Sequence, residues 1–113
     1  MAALGPKLRR IANSHVGFFC PACRMMHVIR IGGDRGQGPL WTWDGNEDEP
    51  TFTPSIYVNR PGRLHNPAVP SCHSYVADGR IRFLNDSTHA LAGQIVDLPD
   101  LTGAVGDQVK GTA

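Results

Sequence analysis

The stretch Phe18-Phe19-Cys20-Pro21-Ala22-Cys23-Arg24-Met25-Met26-His27 decides how this chain folds. Two cysteines with two residues between them can bend around one cation so that both thiolates and the neighbouring amides face it. Stiff Pro21 and small Ala22 suit that tight turn. A redox pair of the thioredoxin kind would follow a strand and open a helix. Here the pair runs into His27-Val28-Ile29-Arg30-Ile31, an apolar, β-branched segment that reads as a second strand. The pattern predicts a metal-binding knuckle hung between two antiparallel strands, in preference to a redox pair or two inert cysteines.

Working outward, the chain must complete a ligand set. The one remaining cysteine, Cys72, lies in Ser71-Cys72-His73-Ser74, and His89 closes Asp86-Ser87-Thr88-His89. Three thiolates and one imidazole make a closed tetrahedral zinc site. Cys20, Cys23, Cys72 and His89 are therefore the expected Zn2+ ligands, with His27 as the alternative fourth.

The most legible local structure is a hairpin from Ser71 to Leu84. Asp78-Gly79 is a favoured two-residue connection, and apolar residues recur at every second position on both sides of it. The turn sets Ala77 opposite Arg80, Val76 opposite Ile81, Tyr75 opposite Arg82 and Ser74 opposite Phe83. Alternation then turns Cys72, Ser74, Val76, Ile81 and Phe83 toward a core, and His73, Tyr75, Ala77, Arg80 and Arg82 away from it. His73 is a poor metal candidate for that reason.

The segment Pro50-Thr51-Phe52-Thr53-Pro54-Ser55-Ile56-Tyr57-Val58 is unusual for a strand, because two prolines each remove a backbone donor. It suits a sheet edge or the lip of a cleft. Ser55 stands where the apolar strand resumes, as a turn hydroxyl capping an amide or as a positioned nucleophile. Trp41-Thr42-Trp43 reads as a short strand. Asp44 to Glu49 reads as an acidic hairpin tip, Gly32 to Pro39 as a loop, Asn59 to Pro70 as a long irregular loop and Gln94 to Asp100 as a last strand. The fold class expected is a small, mostly β, zinc-stapled antiparallel domain over residues 14–100, with a loose arm at 1–13 (an edge strand at 8–11) and a tail at 101–113.

Composition bounds the function. Eleven basic against ten acidic side chains in 113 residues give nothing that favours nucleic acid, and Lys7, Arg9 and Arg10 read as a solvated cluster. Three cysteines do not suggest a secreted disulfide scaffold. No apolar run matches a membrane span or a signal core, so a soluble, cytoplasmic protein is expected. Oligomeric state stays open.

Several ordered motifs carry a resemblance: Phe19-Cys20-Pro21-x-Cys23-x-x-x-His27, Trp43-Asp44-Gly45, Pro50-Thr51-Phe52-x-Pro54-Ser55-Ile56, the run from Cys72-His73-Ser74-Tyr75 through Asp86-x-Thr88-His89, and Leu98-Pro99. Over residues 16 to 100 the chain resembles a family of small proteins from phages and bacterial defence loci that has carried the label ammonia monooxygenase. Some of its relatives lie beside bacterial ubiquitin-like conjugation genes and look like peptidases acting on the ubiquitin-like protein. The resemblance implies Ser55 as nucleophile, His73 as base and Asp86 as its orienting carboxylate, with a protein or peptide substrate. Many relatives have a cysteine where this chain has Ser87, a departure that bears on the metal set.

Three functions follow as expectations. A zinc-stabilised serine peptidase requires His73 close to Ser55 in an open site. A non-enzymatic interaction module of phage or defence origin would bury Ser55 and expose Trp41, Trp43 or Tyr57 as a patch. A metallohydrolase would need the acidic turn at Asp44 to Glu49 to approach the metal.

Overall fold

A computed structural model describes residues 2–33, 36, 38–62 and 65–101. Nine strands occur among them: β1 (Ala2–Leu4), β2 (Leu8–Ala12), β3 (His15–Cys20), β4 (Met25–Arg30), β5 (Thr42–Trp43), β6 (Phe52–Val58), β7 (Cys72–Ala77), β8 (Arg80–Phe83) and β9 (Ile95–Asp97). They form two antiparallel meanders, β1-β2-β3-β4 and β5-β6-β7-β8-β9. No helix is long and apolar enough to cross a membrane among the described residues.

Each sheet buries one face. Val16, Phe18, Cys20 and Ile29 from the first meet Phe52, Ile56, Cys72, Val76, Ile81 and Phe83 from the second in a single core. Phe18 stacks on Phe52 with ring centroids 6.3 Å apart, joining the two layers near their centre. Leu98, beyond β9, adds to this core and its N–H donates to Gly79 C=O.

The hairpin forms in the register the sequence implies, with Ala77 paired to Arg80, Val76 to Ile81, Tyr75 to Arg82 and Ser74 to Phe83. Asp78 (φ 51°) and Gly79 (φ 74°) are both left-handed, as this tight connection requires. An added Cβ on Gly79 would also stand 3.0 Å from Glu49 Cα, so glycine is needed there twice over.

The strand expected at 8–11 is present as β2, and β1 adds a further strand to what was expected as a loose arm. Strands β1 and β2 extend the first sheet, and Leu8 is fully buried. Arg9 pairs with Gly17 and Arg10 with Val16 before the register shifts, so the segment is held by a ladder that its polar sequence hides. Its basic side chains serve main-chain carbonyls: Lys7 Nζ donates to Leu98 C=O at 2.6 Å, and Arg9 donates to Leu101 C=O. Of the expected tail, Leu101 is buried and residues 102–113 lie outside the described residues, as do 34, 35 and 37 of the expected glycine-rich loop. Replacing Phe52 with alanine is expected to destabilise the fold by about 3–5 kcal/mol in denaturant titration, since it empties the junction of both layers.

Candidate active site and metal centre

The knuckle forms at the β3–β4 turn. Cys20 ends β3, Arg24 N–H donates to Cys20 C=O at 2.8 Å, and Arg24 is left-handed at φ 56°. Cys23 N–H points at Cys20 Sγ over 3.3 Å, the amide-to-sulfur contact expected of a metal knuckle. Cys72 at the start of β7 brings its sulfur to 4.0 Å from that of Cys20. Tetrahedral ligands on a zinc ion with 2.3 Å bonds would be about 3.8 Å apart, whereas a disulfide needs about 2.05 Å.

At the fourth position the structure brings the alternative histidine to the cysteines. Ligand atoms of Cys20, Cys23, His27 and Cys72 all lie within 4.8 Å of one another, so these four residues can hold a metal ion. His27, the alternative, is in this group, and His89, the preferred ligand, is not. The β3–β4 register is the reason: Phe18 pairs with His27, which turns the imidazole inward one diagonal step from Cys20. His27 is 3% exposed and its Nε2 has no hydrogen-bond partner, the unsatisfied buried nitrogen that a metal site would account for.

His89 instead stands beside the cluster. Its Nδ1 accepts from Leu91 N–H at 3.2 Å, leaving Nε2–H to donate to Cys72 Sγ at 3.4 Å. Such a bond steadies a ligand sulfur without filling a coordination position. The thiols also act on one another. Bonds from Cys23 and then Cys72 draw Cys20 far below the ordinary thiol range, while the bond to Cys20 pushes Cys23 up to about 12 and Cys72 upward as well. A bound cation would favour the deprotonated form of all three.

On the opposite face of the same hairpin lies a second constellation. Ser55 Oγ is 3.0 Å from His73 Nε2, and His73 Nδ1 is 3.1 and 3.0 Å from the two carboxylate oxygens of Asp86. A serine, an imidazole and a carboxylate in this series can deliver a nucleophile: Asp86 holds the proton on Nδ1 and leaves Nε2 free to accept from the hydroxyl. His73 is the main cause that holds Asp86 below the usual carboxyl value, and Tyr57 acts in the same direction. Strand β6 reaches this geometry through a break in register between Phe52 and Ile56, where Pro54 sits after a cis peptide bond.

Two residues of this site escaped the sequence reading. Tyr57 pairs with His73 across β6 and β7 and stacks on its ring at 4.2 Å and 10°. Ser87 Oγ accepts from His73 N–H and donates to His73 C=O, each at 3.0 Å. Where relatives were expected to offer a cysteine, this serine grips the histidine backbone and takes no part in the metal group. Knowing that β6 pairs with β7 would have exposed Tyr57; nothing local exposes Ser87.

The remaining expectations separate on geometry. The acidic turn is occupied with its own amides: Asp44 Oδ1 accepts from Asn46 and Thr51 N–H, and Asn46 Oδ1 from Asp48 and Glu49 N–H. No carboxylate belongs to the metal-ligating group. The ring nitrogens of Trp41 and Trp43 donate to Ser55 and Asn46 C=O, and both rings are half-buried against the core, as is Tyr57 against His73. A separate open groove of about 810 Å3 is lined by Tyr75, Arg80, Arg82 and Ile95 among others, and none of Ser55, His73 and Asp86 lines it.

Comparison with known proteins adds one finding. The family model of the bacterial ubiquitination-like system serine protease (BubE) matches residues 6–84, which is more than half of the chain. No curated protein and no solved structure matches.

Two outcomes are expected. If the cluster holds a metal, elemental analysis of the purified His27→Ala variant should show it lost, while His89→Ala should retain it at weaker affinity. The Asp86 carboxyl, followed by carbon NMR, should titrate below the ordinary carboxyl range and move up toward it in His73→Ala. Because the folded value is the lowered one, the His73–Asp86 pair persists above the ordinary carboxyl range and is lost only as pH falls through the lowered value.

Proposed function

Given that this chain belongs to the family of bacterial ubiquitination-like system serine proteases, we propose that it hydrolyses a peptide or isopeptide bond next to a ubiquitin-like protein, using Ser55, His73 and Asp86. The observation that carries the reading is the continuous Ser55–His73–Asp86 hydrogen-bonded series on an outward face. Ser55 is half-buried and His73 keeps 21% of its side-chain surface, so a substrate carbonyl can approach.

Each residue has a defined task. Ser55 Oγ attacks the scissile carbonyl carbon as its proton passes to His73 Nε2. The tetrahedral intermediate collapses, the carbon–nitrogen bond breaks, and the leaving amine takes the proton from Nε2. Water then attacks the Ser55 ester, yields a proton to Nε2, and the proton returns to Oγ as the acid leaves. Asp86 fixes the tautomer and stabilises the imidazolium in both halves. Tyr57 and Ser87 are positioning residues, one holding the plane of the ring and the other its backbone.

Zinc fits the Cys20, Cys23, His27 and Cys72 donor set better than harder cations, since three soft sulfurs and an imidazole leave no oxygen ligand. It would supply folding free energy to the knuckle and to the start of β7. The protein substrate follows from the family; its identity as the ubiquitin-like modifier or a conjugate is part of the proposal.

Ser55→Ala and His73→Ala should each lower cleavage of a ubiquitin-like fusion by about 10^3-fold or more, and Ser55→Ala should abolish labelling by a fluorophosphonate. Zinc content and melting temperature should stay at the parent values. Undiminished cleavage by both variants would reject the assignment.

A further inference from the structure

The direction of every backbone group around Ser55 follows from a few bonds. Leu84 N–H donates to His73 C=O at 2.8 Å, and His73 N–H donates to Ser87 Oγ, so both main-chain groups of His73 point away from β6. In an antiparallel ladder successive residues point their groups to alternate sides. Cys72 and Ser74 therefore face β6, where they meet Val58 and Ile56. Tyr57, between them and opposite His73, must turn its N–H and C=O to the other side.

On that side β6 has very little cover. Strand β5 pairs only Thr42 with Thr53 and Trp43 with Phe52. The chain before β5 turns off, with Trp41 N–H donating to Arg30 C=O at 2.9 Å, and Pro39 and Pro54 have no N–H with which to prolong the ladder. The indole N–H of Trp41 caps Ser55 C=O at 3.2 Å and extends no further. Among the described residues no strand pairs with Tyr57 on the side away from β7, and beyond it Asn59 turns left-handed at φ 57° and ends the edge. An open stretch of sheet edge thus begins at the serine itself.

Resting on the serine-protease reading, we infer that this edge binds an extended segment of the protein substrate by strand addition, with Tyr57 N–H and C=O as its main-chain anchor. An added strand exchanges two hydrogen bonds with Tyr57. Two residues along, about 7 Å, it arrives beside Ser55, whose side chain shares a face with Tyr57 and His73. The occupant is a flexible segment on the acyl side of the scissile bond, such as a chain terminus. Recognition through main-chain groups selects extended conformation over side-chain identity, and a folded surface cannot supply it. The edge is only one hydrogen-bonding residue long, which limits pairing with other copies of the chain.

The test uses the full chain and three kinds of probe: acetyl-Gly diphenyl phosphonate, acetyl-Ala-Ala-Ala-Gly diphenyl phosphonate, and the three tetrapeptides methylated at one alanine nitrogen each. The tetrapeptide should label Ser55 about tenfold faster than the glycine probe, and one of the methylations should erase that gain. In the tetrapeptide adduct, amide exchange at Tyr57 should slow by at least tenfold, while the glycine adduct leaves it unchanged. Equal labelling by all probes with unchanged Tyr57 exchange would overturn strand addition and leave the serine reading standing. Failure of Ser55 to react with any probe, or with a simple fluorophosphonate, would overturn both. Tyr57 protection that rises with protein concentration in the absence of peptide would assign the edge to a second copy and overturn the proposal.

Discussion

Side-chain alternation along β7 is the constraint on which the rest of this structure depends. Cys72 points into the core and meets Cys20, and His73, one residue later, points out and meets Ser55. A strand has period two, so consecutive residues cannot share a face. One dipeptide therefore separates a cysteine–histidine cluster able to hold a metal ion from a hydrogen-bonded triad by the thickness of a sheet. A one-residue slip of β7 would exchange the two faces and destroy both.

The turn after β8 ties the two centres together. Asp86 reaches outward to His73, Ser87 clasps the backbone of the same histidine, and His89 reaches inward to Cys72. Thr88 helps hold the base of β7, its hydroxyl accepting from Ser71 N–H and its N–H donating to Ser71 C=O. Four successive residues thus brace a single strand end from both faces. A metal in the knuckle would act on the triad only through this shared scaffold, by fixing where β7 begins.

Pro54, the one proline within β6, has a comparable double effect. Pro54 interrupts the ladder with β7, which frees Ser55 from a regular position and lets its hydroxyl meet Nε2. The same lack of donors stops β5 after two residues. A fully covered β6 would bury the serine under neighbouring backbone. The irregular strand leaves it at an edge.

Much of this was legible in the residue order. The knuckle, the hairpin register and the inward and outward faces of β7 are local, and spacing or turn chemistry alone determines them. The family resemblance supplied Ser55, His73 and Asp86 as a set. The choice between His27 and His89 was not legible, because it rests on the pairing of β3 with β4, which turns His27 inward, and on the Leu91 amide that commits His89 to donating. Nor was β1, which gains its ladder only from β2, as β2 in turn does from β3. Spacing along the chain fixed which residues can bend around one ion or face one side. Only the folded chain decided which imidazole turns in among the cysteines and which meets the serine, since that depends on the register of β3 with β4 and of β6 with β7.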